Sequence, residues 1–189
     1  QPTSKHWPLS GNPEFDTLAR ALNSMVEQLQ QSEQALYNEA RRDGLTQLGN
    51  RKCLSEQLNQ HPCLLSKHDR CRIALLMIDL DDFKTLNDSL GHEQGDQVLL
   101  TIAECLKQVI RGEDMLFRIG GDEFAIITKM VREEEGAITL AERLMRTISD
   151  QQIEQGGRKT QVSASIGIAY DDGAMGADEL IRNADLAMY

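Results

Sequence analysis

Apolar residues beyond residue 43 follow two periods, which predict strands alternating with helices. The continuous apolar run Ile73–Ile78 is typical of a central buried strand. From Val162 to Ile168 apolar and polar residues alternate, which predicts a strand with one buried face. Two amphipathic helices are predicted from the apolar sets Val98, Leu99, Ile102, Leu106, Val109 and Ile110, and Ile138, Ala141, Leu144, Met145 and Ile148. Shorter helices are expected at about 50–60, across 83–90 and from about residue 177.

A hairpin is predicted between the two long helices. The runs MLFRI and FAII are rich in aromatic and β-branched residues, and Gly120-Gly121 provides the positive-φ turn that joins them. Asp122 and Glu123 then stand at the tip. Because acidic residues are common in solvent-exposed turns, the tip taken alone is equally consistent with an ordinary surface turn.

A second pair of acids favours a functional interpretation. The buried strand ends in Asp79, with Asp81 two residues later. A carboxylate at the end of a buried strand needs a partner such as a cation. If Asp79 lies beside the hairpin tip, the combined acids predict a Mg²⁺ site that leaves coordination positions for phosphate.

The N-terminal region predicts one long helix with a heptad seam. Phe15, Leu22, Leu29 and Leu36 recur every seven residues, and the interleaved positions are Leu18, Met25, Ser32 and Glu39. Two interpretations stay open: an amphipathic helix packed on its own domain, or a parallel coiled coil. We favour the coiled coil, because the 3.5-residue repeat is maintained.

Composition narrows the classes of function. The 189 residues carry a formal net charge of −10, which argues against a nucleic-acid-binding surface but is compatible with a nucleotide bound through a divalent cation. No apolar run approaches the ~18 residues of a membrane-spanning helix, so a soluble chain is expected. Cys53, Cys63, Cys71 and Cys105 lack metal-site spacing, and we expect reduced thiols of a cytosolic protein.

The GGDEF sequence at 120–124, together with the D-x-D-D-F-K-x-x-N-D run from Asp79, resembles the diguanylate cyclase (GGDEF) domain family. The resemblance covers roughly Asp43 to Tyr189. It implies an α+β fold, related to the palm and ferredoxin folds, with an antiparallel-containing sheet flanked by helices. The order of elements predicts that these helices lie on one face of the sheet. The resemblance further implies condensation of two GTP molecules into cyclic di-GMP and two pyrophosphates, by a dimer with one GTP·Mg²⁺ half-site in each protomer.

The resemblance also assigns roles to residues. The implied metal ligands are Asp79, the Leu80 carbonyl, Asp122 and Glu123. The resemblance implies two Mg²⁺ ions in each active site, which Mn²⁺ could replace. The catalytic residues implied are Asp122, Glu123 and Lys84, and the substrate-binding residues are Asn87, His92 and Asp96. Without the resemblance, Lys84 would be an ordinary surface lysine, His92 a loop histidine and Asp96 a helix N-cap after Gly95.

An inhibitory site for the product is implied upstream of the hairpin. Arg111 and Asp114 form an R-x-x-D motif at the offset of the family's cyclic di-GMP site, and Arg143 is added to it. The alternative for Arg111 is a helix C-terminal arginine favoured by the helix dipole.

Two regions are expected, residues 1–42 and residues 43–189. PEFDTLARALNSM resembles the second helix of a HAMP signalling linker, which implies the cytoplasmic end of a receptor anchored in a bacterial inner membrane. A D-x-L-T-x-L-x-N-R motif starts the second region, and we expect an Asp43–Arg51 ion pair there. Family members continue beyond the position of Tyr189 with a basic segment, so weak nucleotide binding is expected. Non-catalytic alternatives are a cyclic di-GMP-binding module and a dimerising partner.

Overall fold

The computed structural model describes residue 7 and residues 11–60, 72–130, 135–155, 158–171 and 175–188. It separates the chain into two compact units, Gln1–Arg41 and Arg42–Tyr189. The first contains helix α1 (Pro13–Glu39), which begins where the Asn12 side chain accepts a hydrogen bond from the Glu14 amide. The predicted long helix is therefore confirmed. Its seam is exposed at Phe15, Leu18, Met25, Leu29 and Leu36.

The second unit is built on an antiparallel sheet. In chain order its elements are α2 (Arg51–Gln60), β1 (Arg72–Leu80), α3 (Phe83–Leu90), α4 (His92–Val109), β2 (Met115–Gly120), β3 (Glu123–Met130), α5 (Glu135–Ser149), β4 (Gln152–Gln155), β5 (Arg158–Gln161), β6 (Ala164–Asp171) and α6 (Ala177–Met188). The order in the main sheet is β2-β3-β1-β6, and β4 pairs with β5 in a separate hairpin. The α+β fold is confirmed.

Strand β1 lies in the interior of the sheet, and its alternate residues enter two different cores. Ala74, Leu76 and Ile78 face the core formed with α4 and α5. Ile73, Leu75 and Met77 face the core formed with α2 and α6. The prediction of helices on one face is therefore wrong. A strand covered on both sides has no polar face, which explains why its sequence shows no alternation.

Several boundaries differ from the sequence predictions. The last strand of the sheet starts at Ala164 rather than Val162, although Val162 is buried. Helix α4 starts at His92, so His92 is not in a loop and Asp96 is inside the helix rather than at its N-cap. The β4–β5 hairpin was not predicted at all. Its strands are four residues each and polar, which leaves little hydrophobic pattern to detect.

Two further observations concern the predicted class of protein. Across the described ranges, no helix combines the length and apolar character needed to cross a membrane. Cys105 is buried, Cys53 is half-buried, and neither forms a disulfide with another described residue. Cys63 and Cys71 lie outside the described residues, as does the polar loop expected near them.

Residues 42–50, here called the junction loop, attach to strand β2. The Arg118 amide donates to the Gly49 carbonyl at 2.9 Å, and Gly49 bridges to Phe117. The predicted Asp43–Arg51 ion pair is wrong: Asp43 pairs with Arg118, at 2.9 Å from Oδ1 to Nη1. Arg51 is instead the first residue of α2.

Candidate active site

The acids of β1 and of the hairpin meet at one end of the sheet. In the antiparallel register Asp79 lies directly opposite Glu123, the first residue of β3. Asp122 precedes Glu123 in the turn, where Gly120 and Gly121 both have positive φ (155° and 55°). The predicted hairpin and the approach of Asp79 to its tip are confirmed. Two carboxylates opposite each other on neighbouring strands repel, so the pair calls for a balancing positive charge.

The electrostatic state of Asp79 shows how strongly the carboxylates interact. Burial raises the pKa of Asp79, and the carboxylates of Asp122, Glu123, Asp81 and Asp185 raise it further, in that order. A bound cation would reverse this effect, because it favours the ionised form of every carboxylate near it.

The Asp81 carboxylate, unlike that of Asp79, is interpreted as a structural contact to strand β6. Its two carboxylate oxygens accept hydrogen bonds from the hydroxyls of Ser163, at 2.6 Å, and Ser165, at 2.8 Å. The Asp81 amide also donates to the Ser163 carbonyl. These three bonds tie the end of β1 to the start of β6, so we interpret Asp81 as a residue that fixes the strand end on which Asp79 stands.

A cleft of about 370 Å³ opens beside these strand ends. It is lined by Asp79, Asp81, Asp82, Ser165 and Met188. Asp82 adopts the left-handed conformation (φ 54°), which turns the chain sharply from β1 into α3.

The donor set suits a hard divalent cation. Carboxylate and carbonyl oxygens are the preferred ligands of Mg²⁺, and Asp79, Asp122 and Glu123 provide the former while Leu80 provides the latter. Within the described ranges, no three His, Cys, Asp or Glu side chains already form a cation cage. The donor types and the charge of these residues are compatible with Mg²⁺.

Helices α3 and α4 carry the predicted substrate-binding residues. Lys84 is exposed, and Asn87 lies one turn further along α3. The Asn87 amide nitrogen lies 3.1 Å from His92 Nδ1, at the start of α4. Gly95, on the next turn, leaves room for the Asn87 side chain: a Cβ on Gly95 would lie 2.3 Å from Asn87 Oδ1.

The structure thus brings Asn87 and His92 together, and Asp96 follows Gly95 as an exposed residue of α4. The Asn87 Oδ1 atom is buried and has no hydrogen-bond partner among the described residues. A buried acceptor without a partner is costly, so it indicates a hydrogen-bond donor that a ligand supplies.

Arg111 and Asp114 lie at the other end of β2 from the acidic turn. The Arg111 amide donates to Asp114 Oδ2 at 2.8 Å, and the Asp114 amide donates to the Arg111 carbonyl at 3.0 Å. Strand β2 runs from Met115, directly after this turn, to Gly120, which is about 17 Å away at the usual rise of a strand. Arg143 of α5 donates to the Val109 carbonyl, two residues before Arg111.

Three residues near the site were missed from the sequence: Arg118, Gly95 and Asp185. Arg118 precedes the GGDEF signature, but an arginine in a strand has no pattern that reveals its partner 75 positions away. Gly95 was treated only as a helix boundary. Asp185 lies on α6, and only the fold brings its charge near Asp79.

Comparison with known proteins decides the family. A family model described as "Diguanylate cyclase, GGDEF domain" matches residues 40–189. The chain belongs to the GGDEF domain family. The family recognised from the sequence is therefore confirmed.

Named relatives of this GGDEF chain include larger proteins of Pseudomonas aeruginosa. It is 41% identical over 162 residues to the bifunctional diguanylate cyclase/cyclic di-GMP phosphodiesterase MucR, covering 85% of this chain and 23% of the relative. It is 35% identical over 174 residues to the cyclic di-GMP phosphodiesterase NbdA, covering 89% and 21%. The chain thus spans less than a quarter of the length of these two relatives.

A solved structure resembles both parts of the chain. The coiled coil and GGDEF domain of DgcB from Caulobacter crescentus, in complex with c-di-GMP, superposes with a TM-score of 0.82 at 26% identity. The superposition covers 93% of this chain and 92% of that chain. The expected combination of a long N-terminal helix with a GGDEF domain is confirmed.

Proposed function

We propose that this GGDEF domain is a diguanylate cyclase, which condenses two GTP molecules into cyclic di-GMP with release of two pyrophosphates. The observation that carries the proposal is the cross-strand register of Asp79 and Glu123 beside Asp122. Together these residues form a concentration of carboxylates that is unfavourable without a cation. The relative MucR bears this activity in its name, which supports the assignment.

The proposed roles of the residues differ with their position in the fold. Asp79, the Leu80 carbonyl, Asp122 and Glu123 hold Mg²⁺, which offsets negative charge on the reacting phosphates when it is bound. Lys84 adds a positive charge in the first turn of α3, two residues after the cleft residue Asp82.

The guanine-binding residues follow on α3 and α4. Asn87 and Asp96 recognise the guanine edge through an amide and a carboxylate, and His92 orients the Asn87 amide by its hydrogen bond. Asp122 is a weak base while bound to a cation, so we assign its main role to metal ligation.

We propose that the active form is a dimer joined through α1. Joining two GTP molecules requires a hydroxyl of one to reach the α-phosphorus of the other, so two half-sites must face each other. The exposed seam of α1, with Leu29 at 68% and Met25 at 67% exposure, provides an apolar surface suited to a second copy of the helix. The coiled coil of the DgcB structure supports this arrangement.

Product inhibition is proposed at Arg111 and Asp114, with Arg143 nearby. The mutual hydrogen bonds of Arg111 and Asp114 use their backbone amides, so the Arg111 guanidinium stays available for a phosphate or a guanine edge. Isothermal titration with cyclic di-GMP tests this assignment. Binding must be lost in Arg111→Ala and retained in Arg146→Ala, which changes an arginine one helical turn beyond Arg143.

The two-region organisation is part of the proposal: residues 1–42 as a HAMP-like signalling helix and 43–189 as the cyclase domain. We further propose that the parent protein is a receptor of the bacterial inner membrane whose catalytic end lies in the cytoplasm. Fractionation of cells that produce the parent protein tests the location. Recovery of the parent in the soluble fraction alone would contradict it.

The test of catalysis is formation of cyclic di-GMP from GTP and Mg²⁺. We expect product from the parent protein and none from Asp122→Asn or Asp79→Asn, while Glu179→Gln, a change of an exposed acid on α6, keeps the wild-type rate. Binding of GTP without product formation in the wild type would refute the cyclase proposal. That result would favour the second candidate, a cyclic di-GMP-binding module; the relative NbdA is named a cyclic di-GMP phosphodiesterase and not a cyclase.

A further inference from the structure

We propose that Arg118 is a positioning residue for the acidic turn, and that Asp43 of the junction loop is its fixed counter-charge. The inference deepens the proposed function, because it concerns the cation site formed by the same turn. Arg118 belongs to none of the metal, catalytic or nucleotide groups assigned above.

The three nitrogens of the Arg118 guanidinium reach two separate parts of the fold. Nε and Nη2 donate to the Gly121 carbonyl at 3.2 and 2.8 Å. Nη1 donates to Asp43 Oδ1 at 2.9 Å. The Arg118 side chain is only 10% exposed and its bond to Asp43 is part-buried, so solvent weakens that bond little; the Gly121 carbonyl belongs to an exposed residue. One planar group therefore links the junction loop to the peptide that immediately precedes Asp122.

The turn that Arg118 holds is difficult to order. It contains two consecutive glycines with positive φ, and glycine loses more conformational freedom on folding than any other residue. The strand register also shifts between Arg118 and Gly120, which leaves Ile119 as an extra residue. The two charge-assisted hydrogen bonds from Arg118 to the Gly121 carbonyl restrict this turn, and they so fix the orientation of Asp122, the next residue.

Asp43 prevents the Arg118 guanidinium from pairing with Asp122 or Glu123. The Thr46 amide and hydroxyl both donate to Asp43 Oδ1, at 2.8 and 2.7 Å. Burial acts to raise the pKa of Asp43, but hydrogen bonds from Thr46 and the charge and hydrogen bond of Arg118 outweigh it and lower the pKa. An ionised, immobile Asp43 holds Arg118 in place. Without it, a cation of the protein itself would be free to pair with Asp122 or Glu123 and compete with Mg²⁺.

The test is Arg118→Lys in the full protein, with Thr46→Val as the matched control. Lysine keeps the positive charge, but its single ammonium group cannot bond Asp43 and also donate two hydrogen bonds to the Gly121 carbonyl. Valine removes one hydrogen bond to Asp43 and leaves every bond of Arg118 in place. The first readout is amide hydrogen exchange at residues 121–123. The second is Mn²⁺ binding in the presence of a non-reactive GTP analogue, followed by the signal of free Mn²⁺ in electron paramagnetic resonance.

We expect Arg118→Lys to weaken Mn²⁺ binding about tenfold and to speed exchange in the turn by a similar factor, as loss of one charge-assisted contact implies. Thr46→Val should change both by less than about twofold, since its effect is confined to the junction loop. Equal effects of the two variants on both readouts would show that Arg118 serves only the stability of the fold. If Arg118→Lys does not fold, Asp43→Asn replaces it and must weaken Mn²⁺ binding more than Thr46→Val does; equal weakening overturns the proposal.

The two proposals fail in different ways. Neither readout requires product, so a protein that binds Mn²⁺ and makes no cyclic di-GMP refutes the cyclase assignment and leaves the role of Arg118 to be decided as above. Should the wild type bind no Mn²⁺, the cation site is refuted. Exchange at the turn then decides alone whether Arg118 orders it.

Discussion

At Gly167 of strand β6 the backbone of helix α6 lies against the sheet with no room for a side chain, so replacing this glycine by alanine is a severe test of the packing. A Cβ at this residue would lie 2.1 Å from the Ala184 carbonyl oxygen and 2.5 Å from the Met188 amide nitrogen. Ordinary contact begins at 3.4 Å, so the helix would have to move away by about 1.3 Å. Both neighbouring atoms belong to the backbone, and no change of side-chain rotamer can relieve the clash.

The expected loss of stability follows from this geometry. Overfilling a packed core costs about 1–3 kcal/mol when side chains can adjust, and here they cannot. Moving α6 also loosens Leu180 and Ala184, which are completely buried against β1 and β6. We therefore expect Gly167→Ala to lower the free energy of unfolding by about 3 kcal/mol. For a domain of this size that corresponds to about 6–12 °C in Tm.

Urea unfolding followed by circular dichroism measures the effect, and Gly136→Ala is the matched control. Gly136 lies in the first turn of α5, and a Cβ there meets no described atom within 4 Å. Its replacement should leave stability unchanged or raise it by up to about 1 kcal/mol. If Gly167→Ala unfolds within about 0.5 kcal/mol of the wild type, the close approach of α6 to β6 is not as described and the reasoning is wrong.

Three further predictions concern the site and the helix. Burial and neighbouring carboxylates raise the pKa of Asp79, so its ionised form destabilises the metal-free fold at neutral pH, and Asp79→Asn should raise resistance to urea there. The difference should shrink as the pH falls through the raised pKa of Asp79 and be gone below about 4, where the wild-type group is protonated in both states. Gly95→Ala should displace the Asn87 side chain and reduce the preference for GTP over ATP about tenfold in calorimetric binding, with little change in Tm. Leu29→Asp should weaken self-association in sedimentation, because the leucine is exposed on a single helix and a charge in a heptad seam resists pairing; an unchanged dimer would contradict a contact through α1.

The parts of the fold that followed from the sequence are those in which a local pattern determines the structure. The glycine pair of the hairpin, the apolar run of β1 and the helical spacing of α4 each contain their own signal, so these elements were predicted with the correct type. Asp79 and the hairpin tip could be brought together because both lie at the ends of apolar runs. The helices on the second face of the sheet could not be predicted, since a continuous apolar strand does not reveal which elements pack on each of its faces.

The errors at the site have a common physical origin. An Asp43–Arg51 pair is expected because both residues belong to the motif that starts the second region, but the fold pairs Asp43 with Arg118, next to the bridge between Gly49 and Phe117. The alternative for Asp96, a helix N-cap, depends on taking Gly95 as a helix boundary. In the structure Gly95 is a helical residue that makes room for Asn87. Partners that are distant in sequence leave no periodic signal, and the sequence gives no indication of them.

The attachment of the junction loop to β2 also affects how the domain behaves among other molecules. Strand β2 is an edge of the sheet, and the carbonyl of Gly49 occupies the Arg118 amide that would otherwise face outward. An uncovered edge offers its hydrogen-bonding groups to any extended peptide, which is a common origin of aggregation. In a version of the domain that starts after Gly49 this amide would be exposed, so we expect the loop to reduce strand-to-strand association between molecules at this point of the edge.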